Sequence, residues 1–191
     1  FENINFSCQD SDKVALIGNN GTGKSTLLKI IAGVLEPSKG KVICSSKPYY
    51  VPQHFGQYNN CTIAAALQIE QKLIALKSIL DGNFSEEKQK ILGDDWTIEE
   101  RSKEALTFWG LQDFPLTLEM NKLSGGEKTK IFLAGILIHQ PEIILLDEPT
   151  NHLDLQSREL LYNFVQSSTK TQIVVSHDRT LLQLLNTVYE L

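Results

Sequence analysis

The chain has 191 residues, with 18 Lys and Arg against 23 Asp and Glu, a formal net charge of −5. With 41% hydrophobic and 21% charged residues, the composition excludes a chain that is disordered throughout. Apolar runs as short as 143–146 argue against a bilayer span, which takes about 20 residues, and the mild acidity argues against a surface that grips nucleic acid everywhere.

A domain of this length buries roughly 70% of its unfolded surface and needs no covalent staple. Cys8, Cys44 and Cys61 are odd in number and lack CxxC spacing. They indicate neither a disulfide framework nor a zinc site, and they fit a reducing, cytoplasmic setting. Cys8 and Cys44 lie in apolar runs and are expected as small core residues.

In chain order, residues 1–8 read as a strand with no targeting segment ahead. Residues 13–17 (KVALI) form a buried strand ending at Gly18, and residues 24–32 a helix closed by Gly33 and Pro37. Residues 41–44 and 49–51 follow as strands. Ile69, Leu73, Leu76 and Leu80 mark one face of a helix, broken by Asp81-Gly82-Asn83. Helices are predicted at 86–92, 98–109 and 124–139. After these come strand 143–147, helix 157–166, strand 172–176, helix 180–185 and strand 187–191. Alternating strands and helices imply a mostly parallel sheet covered on both faces. The strand-like ends suggest an excised piece of a longer protein; trimming of disordered tails is the alternative.

Gly18-Asn19-Asn20-Gly21-Thr22-Gly23-Lys24-Ser25, followed by Thr26, fits GxxxxGK[ST] between a buried strand and a helix. Glycines let the backbone turn its N–H groups toward one point, and the helix N-terminus adds partial positive charge. Lys24 can then reach the outer phosphates of a nucleotide, and Ser25 can offer its hydroxyl to Mg²⁺. Asp147 and Glu148 follow a hydrophobic strand, where one carboxylate can hold Mg²⁺ and the other can polarise an attacking water. Ser124, Gly125, Gly126 and Glu127 open another helix. Ser124 and Glu127 have capping-box spacing, and the two glycines allow close approach of an anion to the backbone.

These motifs, with Gln53 between and Ser176-His177-Asp178 after, stand in the order of an ABC-type ATPase domain, which the chain resembles along essentially its whole length. The run Asp147-Glu148-Pro149-Thr150-Asn151-His152-Leu153-Asp154 (DEPTNHLD) and the segment VVSHDR resemble the ABC-F class of twin-domain proteins. The resemblance implies a P-loop NTPase fold, with a small antiparallel β part near the N-terminus. The α/β core would comprise 1–53 and 123–191, and a helical subdomain would span 54–122. It also implies ATP and Mg²⁺ as cofactors, and a partner ABC domain in the same chain or a second copy.

In that sandwich Gly18–Thr26 would hold one ATP, while Ser124, Gly125, Gly126 and Glu127 face the second. Gln53 would contact the metal and water, and Ser25 and Asp147 would hold the metal. Glu148 is implied as general base, His177 as switch histidine and Asp154 as the residue communicating across the dimer. All are of the expected type, which implies an active half-site. The adenine-stacking aromatic of the family is not convincingly present, and Phe1 is a poor candidate. Residues 67–96 are a candidate short arm toward ribosomal RNA, with Lys72, Lys77, Lys88 and Lys90 diluted by Glu70, Glu86, Glu87, Asp94 and Asp95. A solvated helical surface explains them equally well. The alternative role is the ATP-binding subunit of a membrane transporter, docked on a permease.

Overall fold

The computed structural model describes residues 4–191. The elements run β1 (Lys13–Ile17), α1 (Lys24–Ile31), β2 (Tyr49–Val51), α2 (Ile63–Ala66), α3 (Glu70–Leu80), α4 (Glu86–Leu92), α5 (Ile98–Phe108), α6 (Gly125–His139), β3 (Ile143–Asp147), α7 (Leu155–Ser167), β4 (Thr171–Val175), α8 (Arg179–Leu182) and β5 (Thr187–Glu190). They fall into two compact units.

The α/β unit comprises Phe1–His54 and Gln140–Leu191. Its five strands pair in parallel, in the order β2-β3-β4-β1-β5. Strands β3 and β4 are buried along their full length, as expected for apolar strands in the middle of a covered parallel sheet. The edge strand β5 alternates between half-buried and exposed residues. Val14, Leu16, Leu27, Leu28, Ile143, Leu145, Ile173 and Val175 form the core between sheet and α1. Parallel pairing brings the carboxyl ends of β1, β2, β3 and β4 to one edge, the usual ligand-binding edge of open α/β sheets.

The helical unit is Phe55–His139. Thr62 caps α2 by accepting from the Ala65 amide at 3.1 Å, and Ser85 caps α4 by accepting from Lys88 at 3.3 Å. Asp95 joins α3 to α5, accepting from Lys72 at 2.7 Å and from Arg101 at 2.6 Å. Arg101 Nε also donates to the Ile138 carbonyl near the end of α6, at 2.9 Å. Among the described residues, no helix is long and apolar enough to cross a membrane.

Several expectations are corrected. Residues 4–8 form no strand, and neither do residues 41–44. The antiparallel part expected near the N-terminus is therefore absent from the described residues. The remainder of the 1–8 strand, and Phe1, lie outside them. Residues 41–44 have no ladder to join, and Ile43 is 78% exposed. Cys44 is exposed with them rather than a core residue, while Cys8 is half-buried. Helix α6, expected in the α/β core, belongs to the helical unit. Its hydrophobic residues bury almost all round, so the one-faced pattern that would assign it to a sheet is missing.

Candidate active site

The site builds on the carboxyl-terminal edge of the sheet. β1 ends at Ile17, and the Leu191 amide donates to the Ile17 carbonyl at 3.0 Å. This brings Leu191 against Gly18, where an added Cβ would lie 2.5 Å from the Leu191 carbonyl oxygen, so only glycine fits. The loop re-enters helix at Gly23, in the left-handed conformation at φ 97°. Thr22 braces the turn by donating from Oγ1 to the Asn19 carbonyl at 2.9 Å. Lys24 is 8% exposed, and its Nζ donates to the carbonyls of Gly18 at 2.8 Å and Asn19 at 2.9 Å. The ammonium is thus held over the loop by neutral acceptors that a phosphate oxygen can replace with a stronger, charge-assisted bond.

Asp147 ends β3 and is 1% exposed. Ser25 Oγ donates to its Oδ1 at 2.8 Å, and the Tyr50 hydroxyl donates to its Oδ2 at 2.9 Å. A hydroxyl beside one carboxylate is a hard oxygen donor set of the kind Mg²⁺ uses when phosphates and water complete its shell. Among the described residues no cluster of three or more His, Cys, Asp or Glu could hold a metal ion.

Glu148 takes the next position at φ 51°, a conformation that costs a non-glycine residue roughly 1–3 kcal/mol. Its amide donates to the Val175 carbonyl at 2.8 Å, which ties this turn to the end of β4. The Glu148 side chain accepts from the His177 amide at 3.3 Å and stands 3.4 Å from His177 Nε2. Glu148 is 7% exposed. Burial pushes its carboxyl above the ordinary range, and neighbouring His177 pulls part of the way back. A carboxyl raised toward neutral pH and aimed into a cavity has the properties of a general base.

Asn20, Gly21, Gly23, Lys24, Ser25, Thr26, Gln53, Glu148, Asn151, Val175 and His177 line one open cavity of about 490 Å³. Thus nine expected residues from the phosphate loop, the Gln53 turn and the ends of β3 and β4 converge there. Gly18, Asn19 and Thr22 shape the loop without lining the cavity, and Asp147 lies behind Ser25. Asp154 caps α7, accepting from the Ser157 amide at 2.8 Å. Ser124–Glu127 stand in the helical unit as a reciprocal capping box. The Ser124 amide donates to Glu127 Oε2 at 2.7 Å, and the Glu127 amide donates to Ser124 Oγ at 3.3 Å. Hydrogen bonds from the Ser124 hydroxyl and backbone hold the Glu127 carboxyl below its usual range.

Two contributors escaped sequence reasoning. Asn151 marked a class resemblance there, but nothing assigned it to the cavity. Tyr50 read only as a strand residue; its contact with Asp147 depends on strand register, which the sequence does not display.

A protein-family model described as ABC transporter matches residues 1–151. The chain belongs to the ABC transporter family. This ABC domain is 34% identical over 99% of its length to an uncharacterized ABC transporter ATP-binding protein, YfmM, of Bacillus subtilis, spanning 41% of that relative. It is 35% identical, over 93% of its length and 61% of the relative's, to the zinc import ATP-binding protein ZnuC of Acinetobacter baylyi. It is 32% identical, over 100% of its length and 25% of the relative's, to ABC transporter F family member 5 of Arabidopsis thaliana. The ABC domain therefore spans well under half of two of these relatives and somewhat under two thirds of the third. Its fold matches the ADP- and phosphate-bound dimeric structure of the ATP-binding cassette MJ0796, with a TM-score of 0.72 at 23% identity. That match covers 98% of this chain and 84% of the other.

Proposed function

We propose that this ABC domain binds Mg²⁺·ATP in the 490 Å³ cavity and hydrolyses it when a second ABC domain closes over the site. The observation that carries the reading is the convergence of Lys24, Ser25, Gln53, Glu148 and His177 on one cavity from four separate segments. Loop amides of 18–26 and the start of α1 cradle the phosphates. Lys24 leaves the Gly18 and Asn19 carbonyls for a phosphate oxygen. Ser25 and Asp147 hold the metal, which when bound neutralises charge building on the transferred group. Gln53 positions the water near that metal. Glu148 takes the proton of the attacking water, and His177 holds the Glu148 carboxylate by its amide and ring. Ser124, Gly125, Gly126 and Glu127 of the partner domain supply amides to the γ-phosphate, and Asp154 lies on the path between the two sites.

The parent protein is proposed to be an ABC-F factor acting on the ribosome or a related ribonucleoprotein. DEPTNHLD and the match of this chain to a quarter of an Arabidopsis F family member support this reading. The similar identity to ZnuC supports the second reading, a transporter subunit on a permease. A Glu148→Gln full-length protein, expected to trap ATP, separates the two by sedimentation. ATP-dependent travel with ribosomes is expected. Retention by membranes, with none on ribosomes, would replace this reading with the transporter one.

A further inference from the structure

Beyond the residues already assigned, we infer that Tyr50 is a positioning residue for the metal-holding carboxylate of Asp147. The inference rests on the proposed nucleotide site. Tyr50 lies on β2 opposite Leu145 of β3, in parallel register. Side chains alternate faces along a strand, so Asp147, two residues beyond Leu145, shares the face that Tyr50 covers. An aromatic side chain is long enough to bridge this diagonal, and its hydroxyl does so, donating to Asp147 Oδ2 at 2.9 Å. The Tyr50 ring packs against the core under the sheet, which fixes where the hydroxyl stands.

The two oxygens of Asp147 are held from two different elements. Oδ1 accepts from Ser25 Oγ at 2.8 Å. A hydroxyl has one hydrogen and two lone pairs, so Ser25 Oγ can turn a lone pair to a cation while it still donates to Oδ1. Oδ2 keeps the Tyr50 hydroxyl, which comes from the fixed sheet and not from the phosphate loop. Tyr50 therefore fixes the carboxylate plane from the sheet, while Ser25 meets the other oxygen from the start of α1. Asp147 is 1% exposed, so water is poorly placed to substitute for that donor.

The test is Tyr50→Phe in the full-length protein, read by equilibrium binding of a fluorescent ATP analogue titrated with Mg²⁺. Lys24→Ala serves as the control for the site. The Mg²⁺ midpoint is expected to rise roughly ten- to a hundredfold in Tyr50→Phe, as for one lost hydrogen bond to a charged group. Affinity without Mg²⁺ should stay within about twofold, since the phenyl ring keeps the packing. An unchanged midpoint overturns the inference. An equal loss with and without Mg²⁺ also overturns it, because the hydroxyl would then serve the fold and not the carboxylate. If Lys24→Ala binds nucleotide as tightly as wild type, the site reading itself is what fails.

Discussion

Glu148→Gln separates the chemistry of the site from its stability, because the two side chains are nearly isosteric. The Glu148 carboxylate is buried, strained at φ 51° and paired 3.4 Å from a His177 ring that is itself 64% exposed. Even with the ring protonated, a pair with so exposed a partner is worth only ~0–1 kcal/mol. Removing the charge also removes the penalty of burying it, which acts in the opposite direction. The backbone strain is unchanged, and the amide oxygen can still accept from the His177 amide. Stability should therefore stay within about 1 kcal/mol of wild type, or 2–4 °C in Tm for a chain of this size. Turnover loses a general base, a contribution of roughly 10²–10⁴-fold, or about 2.7–5.4 kcal/mol in the barrier. The assay is steady-state phosphate release by the full-length protein, beside nucleotide-free thermal melts. A loss of turnover under about tenfold refutes the general-base role. A large fall in Tm with the turnover loss would show that Glu148 supports the fold instead.

The same carboxyl gives a pH signature. Its folded-state value is raised, so the stability it contributes is present below the ordinary Glu range and is lost as pH rises through the raised value. Wild-type Tm is therefore expected to fall across that window relative to Glu148→Gln; parallel curves would refute the burial argument. Ser124→Ala removes the hydroxyl that accepts from the Glu127 amide at 3.3 Å. About 1 kcal/mol of stability should be lost in urea titrations, as for other caps. Turnover should fall by more than that loss explains if the same hydroxyl also meets a nucleotide; an unchanged turnover assigns it to capping alone.

What the sequence displayed, and what it hid, follow from how each signal arises. The strand Ile143–Asp147 and the helix Glu86–Leu92 match their expected bounds, because an unbroken apolar run and the break at Asp81-Gly82-Asn83 are local features. The phosphate loop was equally legible, since its glycines are demanded by backbone geometry at particular positions. Residues 41–44 misled, because Val42 and Ile43 look like strand residues yet lie exposed, and propensity cannot supply a pairing partner. Helix α6 has no polar side, so its pattern could not say which unit it joins. Glu148 at positive φ and the Tyr50 hydroxyl on Asp147 were invisible for a further reason. Each depends on the register of β3 against its neighbours, a non-local property that no spacing along the chain records.

The most direct measurement is a structure of the Glu148→Gln protein with Mg²⁺·ATP. Lys24 is expected to have left the Gly18 and Asn19 carbonyls for the γ-phosphate, with Mg²⁺ between Ser25 Oγ and Asp147 and Ser124 of a second ABC domain on the same phosphate. Nucleotide bound elsewhere, or Lys24 still 2.8 Å from the Gly18 carbonyl with ATP present, would contradict the proposed site.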